Sequence, residues 1–303
     1  MADFYQNIVP TFTRLENEDL GEMEASLTKA AVRFPIGVII PALFKDLSSA
    51  AMKNIIRELS TMNFISRVYI SLDRGTPEEY REAQKIVQPL KSKARVLWND
   101  SPAVQSVIAR INETLPVGPR GKGQAIWTAL GYALGKSEVS VIAFHDADVV
   151  TYDRGFLLRL LFPVVRLRYQ FSKGFYARYS DRLHGRVVRL FYVPFVKALR
   201  KILQKIEFLE YMSDSRYPLS ASLPRLPASP TSFGFPPTGE LRSASCRRCI
   251  ASSGTIESVR LRSHRVTTTS IKMLDMTRLL VWPAWSPTSH GLFSPNSAPA
   301  DAF

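Results

Sequence analysis

The sequence predicts an α/β fold with a doubly wound, mostly parallel sheet. Short runs of β-branched and other apolar residues alternate with segments whose apolar residues recur every three to four positions. The apolar runs lack the polar alternation of a half-exposed strand, which is typical of strands that helices cover on both faces. Strands that alternate with helices are joined by right-handed crossovers and therefore form a parallel sheet.

Four strands and four helices are predicted before residue 150. The strands are predicted over 36–41, 67–72, 94–98 and 139–144. The helices are predicted over 46–60, 77–87, 101–111 and 124–134. The run Ile36–Pro41 is nearly all apolar, so we expect it to be a central strand. Pro77 suits the first turn of the second helix, where no backbone donor is needed.

Composition divides the 303 residues into two parts. The chain has 40 Lys and Arg against 26 Asp and Glu, which gives a net charge of +14. Residues 1–220 contain the periodic segments. Residues 221–303 hold nine of the 20 prolines, both cysteines and no helical or strand period of useful length. The fold is therefore expected within 1–220, and 221–303 is expected to be a Pro/Ser-rich tail.

The same composition limits the classes of function. No apolar run approaches the ~18 residues of a membrane-spanning helix, so we expect no membrane span. No secretory leader pattern opens the chain, and two cysteines cannot form a disulfide framework, so a cytoplasmic protein is expected. The positive charge comes without a recognised nucleic-acid-binding motif, and nucleic acid is not an expected partner.

Acidic residues follow three of the predicted strands. Asp46 follows the first, Asp73 the second, and the pair Asp146 and Asp148 the fourth. Ligands of doubly wound sheets bind at the carboxyl ends of the strands. Two carboxylates one residue apart can face Mg²⁺ or Mn²⁺, which takes further ligands from water and a diphosphate. The alternative is that the acidic pair forms a solvated turn or a helix cap.

Two glycine-containing basic segments could receive anions. Gly118–Gly123 precedes the fourth predicted helix and combines two cations with a helix amino terminus, which suits a diphosphate. An ordinary exposed basic turn is the alternative. Further on, Lys173–Arg178 and Gly185–Arg189 place arginines beside glycines, and a guanidinium can bind carboxylate or phosphate through two hydrogen bonds.

In their order and spacing these motifs resemble those of the glucosyl-3-phosphoglycerate synthases and their bacterial relatives. These enzymes are retaining glycosyltransferases of the nucleotide-diphospho-sugar transferase (GT-A) fold. The resemblance covers most of residues 1–220. It is carried by Pro41–Leu43, Asp73, Gly121–Gly123, Asp146–Asp148, Lys173–Arg178, Gly185–Val187 and Tyr217–Leu219.

The resemblance implies roles for individual residues. The residues implied to bind the nucleotide-sugar are Pro41, Ala42, Leu43, Asp46, Asp73, Gly121, Lys122 and Asp146. Of these, Lys122 and Asp146 are implied to be catalytic. Asp148 is implied to hold Mg²⁺ or Mn²⁺, and Gly185 and Arg186 to bind the acceptor.

The implied reaction moves a hexose, glucose from a UDP-sugar, to 3-phosphoglycerate or a similar small phosphorylated or carboxylated hydroxy-acid, with retention. The resemblance also implies a homodimer. Three alternatives remain open: a transferase with another donor such as GDP-mannose, a nucleotidyltransferase, or a truncated, catalytically dead nucleotide-binding domain.

The chain also departs from the family pattern. Phe44-Lys45 replaces the usual Asn-Glu, and Val188 stands where many members have a threonine that binds the acceptor phosphate. The resemblance ends at Ser220, and the family's metal-binding histidine segment has no counterpart, because His264 and His290 lack matching neighbours. We therefore hypothesise that residues 221–303 are translated in a shifted reading frame.

Two other interpretations of residues 221–303 are open. One is a disordered low-complexity extension. The other is a zinc site at Cys246 and Cys249, which have C-x-x-C spacing but lack a second pair at a usual distance.

Overall fold

The computed structural model describes residues 19–115, 117–169, 171–176, 185–204 and 206–214, and three short strands at 11–13, 222–224 and 258–263. The motif Tyr217–Leu219 and the pair Cys246 and Cys249 lie outside the described residues. All of the described elements lie within one compact unit, Met1–Thr269.

Between residues 36 and 144 strands alternate with helical segments, as the sequence predicts. The strands are β1 (Thr11–Thr13), β2 (Ile36–Ala42), β3 (Ile65–Leu72), β4 (Ala94–Trp98), β5 (Val141–Phe144), β6 (Phe171–Tyr176), β7 (Ser222–Pro224) and β8 (Ser258–Ser263). The α-helices are α1 (Leu20–Ala31), α2 (Phe44–Leu47), α3 (Ala50–Thr61), α4 (Pro77–Ile86), α5 (Pro102–Asn112), α6 (Lys122–Lys136), α7 (Arg154–Val165), α8 (Val193–Leu203) and α9 (Glu207–Asp214). A 3₁₀ segment covers Gln88–Lys93, and a π-helical segment covers Val188–Tyr192.

The four predicted strands form one parallel sheet in the order β4-β3-β2-β5, which confirms the predicted fold class. All seven residues of β2 are buried, because the strand is paired on both sides and covered on both faces. The chain moves outward from β2 to β3 and β4 and then returns to β5 on the other side of β2. This reversal of strand order creates the switch point at which such sheets bind ligands.

Helices cover both faces of this sheet. On one face, α6 packs against β2 and β3 through the small residues Ala125, Ala129 and Ala133. On the other face, the main core joins the sheet to α1, α3 and α7, with Leu27, Ile55 and Leu157 among its fully buried members. Because α6 has small residues on its inner side, its axis can approach the sheet closely.

Some predicted boundaries are wrong. The single helix expected over 46–60 is two helices, α2 and α3, and the Ser49 side chain caps the second by accepting a hydrogen bond from Met52 N at 3.1 Å. The fourth helix begins at Lys122 rather than Gln124. The strand expected over 139–144 begins at Val141.

A second sheet, which the sequence pattern does not predict, has the order β1-β8-β6-β7. In it β6 runs parallel to β8 and antiparallel to β7, and β1 runs parallel to β8. Strands β7 and β8 belong to residues 221–303, where no strand was expected. Among the described residues, no helix combines the length and apolar character needed to cross a membrane.

Candidate active site

The loops after the parallel strands meet at one edge of the first sheet, and backbone hydrogen bonds continue the strand pairing into them. Asp73 N–H donates to Ala42 O at 3.0 Å, and His145 N–H donates to Ile39 O at 3.1 Å. Asn99 N–H donates to Leu72 O at 3.0 Å. Each loop therefore starts from a fixed backbone position.

An ion pair joins the start of α6 to the loop after β5. The Lys122 Nζ atom lies 2.6 Å from Asp146 Oδ1, and both side chains are partly exposed. Lys122 is the first residue of α6, so this ion pair is made from the amino-terminal end of that helix, where backbone N–H groups have no acceptor within the helix. The structure thus brings together the two residues that the family resemblance implies to be catalytic, at the amino-terminal end of a helix, which suits an anion.

A second ion-pair cluster connects the loops after β3 and β4 to the loop before α6. The Arg120 guanidinium donates from Nε to Asp73 Oδ1 at 2.9 Å, and its Nη2 also contacts Asp100 Oδ1. Asp100 Oδ2 in turn accepts a hydrogen bond from Gly75 N at 3.0 Å. Burial alone would lower the pKa of Arg120, but its hydrogen bonds to Asp100 and Asp73 outweigh that effect and raise it. Arg120 therefore stays charged and fixes the buried Asp73 carboxylate.

The end of β2 and the residues that follow it form a short, well-defined segment. Pro41 and Ala42 are buried and pair with Ser71 and Leu72 of β3. Leu43 precedes α2 and donates its N–H to Asp46 Oδ2 at 3.1 Å. The Asp46 carboxylate thus caps the one-turn helix α2, so one of its oxygens has a structural partner already.

The loop after β5 presents its two carboxylates on the accessible side. His145, Ala147 and Val149 are buried, whereas Asp146 and Asp148 are half-buried between them. Among the residues that the structure describes, no group of three or more His, Cys, Asp or Glu side chains is arranged to hold a metal ion. Carboxylate oxygens without a full protein cage fit Mg²⁺ or Mn²⁺ bound by one or two carboxylates, with water and substrate phosphate completing the shell.

Two glycines among the predicted site residues have open surroundings. Gly121 precedes α6 with an extended φ of 169°, and no atom lies within 4 Å of where a Cβ would be. Gly185 has a φ of +87°, which favours glycine, and its carbonyl accepts a hydrogen bond from Arg189 N at 3.1 Å. Gly185 and the exposed Arg186 lie after β6, on a different part of the chain from the loops above.

Asp100 was missed in the sequence, although a signal for it exists. It lies two residues after Trp98, the last residue of β4. Asp73 and Asp146 were selected because each follows a predicted strand, and the same criterion applied to the third strand selects Asp100. Arg120 was noted only as one of two cations in a basic segment, and its carboxylate partners are separated from it by 20 and 47 residues.

The parallel sheet and its switch point are those of the nucleotide-diphospho-sugar (GT-A) transferase fold class. No family model matches the chain. In sequence it is similar to the glucosyl-3-phosphoglycerate synthases, as the motifs predict. That enzyme of Persephonella marina is 39% identical over 224 residues, which cover 73% of this chain and 56% of the relative. The glucosyl-3-phosphoglycerate synthase of Methanococcoides burtonii is 34% identical over 227 residues, which cover 72% of this chain and 55% of the relative.

Solved structures agree on the fold. Glucosyl-3-phosphoglycerate synthase of Mycobacterium tuberculosis in complex with Mn²⁺, UDP-glucose and phosphoglyceric acid superposes with a TM-score of 0.63 and 22% identity, covering 90% of this chain and 83% of that one. The same enzyme in complex with Mg²⁺ and UDP gives a TM-score of 0.61 at 21% identity. This match covers 89% of this chain and 82% of that one.

The comparisons differ in how much of the chain they cover. The chain spans about half the length of the curated relatives it matches. The sequence match covers 73% of this chain, close to the share held by residues 1–220. The structural match covers 90% and therefore extends into residues 221–303.

Proposed function

We propose that the protein is a metal-dependent retaining hexosyltransferase that moves glucose from UDP-glucose to 3-phosphoglycerate or a similar small hydroxy-acid. The ion pair between Lys122 and Asp146 carries this proposal, because it lies at the switch point of the sheet and beside a helix amino terminus. The similarity to glucosyl-3-phosphoglycerate synthases supports the choice of donor and acceptor.

The donor would lie along the carboxyl edge of the first sheet. In this proposal Pro41, Ala42 and Leu43 form the floor beneath the uridine, with Asp46 near the ribose and Asp73 near the nucleotide. Asp73 is buried and held by Arg120, so its carboxylate presents a fixed acceptor to the nucleotide. Gly121 lacks a side chain where the diphosphate would approach the backbone of α6.

The reaction breaks the bond between the anomeric carbon and the diphosphate and forms a bond from that carbon to the acceptor hydroxyl. The hydroxyl proton passes to the departing diphosphate, as expected for retention without a protein nucleophile. Lys122 would offset the charge that develops on the leaving group, and Asp146 holds the Lys122 ammonium at that place. Much of the acceleration would come from holding donor and acceptor in the reacting geometry.

Asp148 would hold Mg²⁺ or Mn²⁺, which supplies Lewis-acid stabilisation of the diphosphate when bound. The acceptor would bind at Gly185 and Arg186, since a guanidinium suits its carboxylate or phosphate. Val188, which replaces the family's threonine, is 8% exposed and contributes no hydroxyl there.

Activity of the purified protein tests the proposal. With UDP-glucose, 3-phosphoglycerate and Mn²⁺, we expect UDP and a glucosylated product, and we expect chelation by EDTA to abolish turnover. Asp148→Ala should remove the metal-dependent activity.

Release of GDP from GDP-mannose would instead identify another donor, and release of pyrophosphate would identify a nucleotidyltransferase. Calorimetric binding of UDP with Mn²⁺ but no turnover would identify a catalytically dead domain.

Two lysines on the same helix give a matched control. Lys122→Ala should lower kcat by about 10²-fold, as expected when one stabilising group of the leaving diphosphate is lost. Lys136→Ala removes the same charge at the other end of α6, and its kcat should stay at the wild-type value. Equal activities of the two variants would contradict the role of Lys122.

We also propose that residues 1–220 form the transferase-like domain and that residues 221–303 arise from a shifted reading frame. The length of the sequence match supports this division, whereas the pairing of β7 and β8 with β6 favours a natural tail. Sequencing the encoding DNA decides between them. An alternative frame that restores Gly-Glu and the histidine segment after Ser220 is expected, and its absence would refute the shift.

The homodimer and the cytoplasmic location stay predictions. The resemblance to the family supports the dimer, and light scattering of the purified protein measures its mass directly. Binding to nucleic acid is not part of the proposal, and steeply salt-dependent binding of the protein to DNA would contradict that expectation.

A further inference from the structure

Beneath the loop that carries Asp146 and Asp148 lies a buried pair of aromatic residues, His145 and Tyr152. Their side chains are 1% and 3% exposed. The Tyr152 hydroxyl lies 3.4 Å from His145 Nε2, and the two rings meet edge to face with centroids 5.2 Å apart. Phe156 packs against both rings, at 5.3 Å from His145 and 5.6 Å from Tyr152. The roles described above for the site use neither His145 nor Tyr152.

This pair connects the two ends of the loop. At the first end, the His145 N–H is bonded to Ile39 O, so the loop begins on the central strand. At the second end, Tyr152 O accepts a hydrogen bond from Asn54 Nδ2 of α3 at 2.8 Å. Asp153, the next residue, caps α7 by accepting from Phe156 N at 2.7 Å. Residues 146–151 therefore span two anchored points, and the side chains of His145 and Tyr152 join those points directly.

The charge states of the pair suit a neutral hydrogen bond. Burial lowers the pKa of His145 to about 4, and the nearby charge of Asp146 offsets this only in part. Burial also raises the pKa of Tyr152 well above its usual value. Tyr152 therefore keeps its proton and His145 stays neutral near pH 7, so the phenol can donate to the imidazole nitrogen.

We propose that Tyr152 is a positioning residue for the metal-diphosphate complex, acting through His145 on the loop that presents Asp146 and Asp148. The inference rests on the proposed function and adds to it a pair that supports the metal-binding loop from beneath. Groups that hold metal ligands in place commonly affect metal affinity about 10- to 100-fold without touching the metal.

The chain offers a matched control in Tyr69. This tyrosine is also fully buried, but its hydroxyl has no hydrogen-bond partner in the described part of the chain, and it lies within β3. Tyr152→Phe and Tyr69→Phe remove the same atom from two buried rings. Only the first change removes a contact to the loop between β5 and α7.

Calorimetric titration of UDP, once with saturating Mn²⁺ and once with EDTA, measures how much Mn²⁺ tightens UDP binding. We expect Tyr152→Phe to reduce that gain about tenfold and to leave the affinity in EDTA within about twofold of wild type. Tyr69→Phe should match wild type under both conditions. Thermal unfolding of each variant shows that the protein is folded.

A double-mutant cycle adds a second readout. Since the two side chains act as one unit, Tyr152→Phe combined with His145→Phe should lose no more of the Mn²⁺ gain than either change alone. An unchanged gain in Tyr152→Phe, an equal loss with and without metal, or additive losses would overturn the inference while the proposed function stands. If wild-type protein binds UDP no tighter with Mn²⁺ than without, both fall.

Discussion

At the scale of single residues, the position of a charged group relative to a strand end decides whether it can be predicted. Asp146 and Asp73 follow apolar strands, so their place at the sheet edge is visible in the sequence. The partnership of Arg120 with Asp73 and Asp100 is not visible, because it forms between loops far apart in the chain. Only the packing of α6 on the sheet brings those loops within hydrogen-bonding distance.

His145 shows a second limit of sequence reasoning. A histidine beside two aspartates invites assignment as a metal ligand or a base, yet its side chain is turned into the core. Because the buried imidazole has a pKa of about 4, against about 6.5 when unfolded, it resists protonation only in the folded protein.

This difference predicts how stability depends on pH. Above pH 6.5 His145 is neutral in both the folded and the unfolded state, so it adds no pH dependence to the free energy of unfolding. Between about pH 6.5 and 4 the unfolded chain takes up a proton that the folded chain does not, so the free energy of unfolding falls as the pH falls. The loss reaches about 3 kcal/mol at most.

Urea unfolding of wild type and of His145→Asn between pH 7 and pH 4 measures the effect. The variant lacks the titrating group, so its stability should decline less steeply across this range. Identical slopes would show that His145 is protonated equally in the folded and unfolded states.

At the scale of elements, the strands of the first sheet were predicted from the sequence, whereas the split between α2 and α3 was not. A strand covered on both faces is apolar throughout, and β2 shows this directly in its sequence. The break between α2 and α3 is hidden, because Leu47, Ala51, Ile55 and Leu59 continue a four-residue spacing across it. Ser49, whose side chain caps α3, is the signal that marks the true start.

Helix α6 supports a prediction about packing. Ala129 is fully buried against the sheet, so Ala129→Leu should overpack that interface and lower the free energy of unfolding by about 1–3 kcal/mol. Gly131 is exposed on the same helix, and an added Cβ there meets no atom within 4 Å. Gly131→Ala should therefore stabilise the protein by about 0.5–1 kcal/mol.

Thermal or urea unfolding of the two α6 variants separates these effects. We expect the two midpoints to move in opposite directions from that of wild type. A stabilised Ala129→Leu would mean that α6 lies farther from β2 and β3 than the structure has it.

At the scale of the whole molecule, the first sheet was predicted and the second was not. The first is built from successive strands and helices, a pattern that restricts the topology to a few arrangements. The second sheet pairs β1 with β8, where Thr11 lies opposite Arg260, 249 positions later in the chain. Two of the strands in this sheet have three residues each. Segments that short carry too little periodicity to be recognised.

The chain spans about half the length of its curated relatives, and the residues proposed for the donor and for the acceptor lie in different parts of it. In the proposed function, the donor would bind to residues of the first sheet and of the loops that follow its strands. The residues proposed to bind the acceptor, Gly185 and Arg186, lie later in the chain, after β6. Binding of the UDP-sugar and transfer of the sugar to the acceptor are therefore measured in separate experiments.

The complete burial of β2 predicts that the central strand is the last described segment to open. Local stability follows buried contacts, so the amide hydrogens of β2 should exchange with deuterium most slowly of all the described segments. Helix α5 has no buried residue and should exchange early. Hydrogen–deuterium exchange read by mass spectrometry would then show the central strand, and the loops that start from it, still protected after α5 has exchanged.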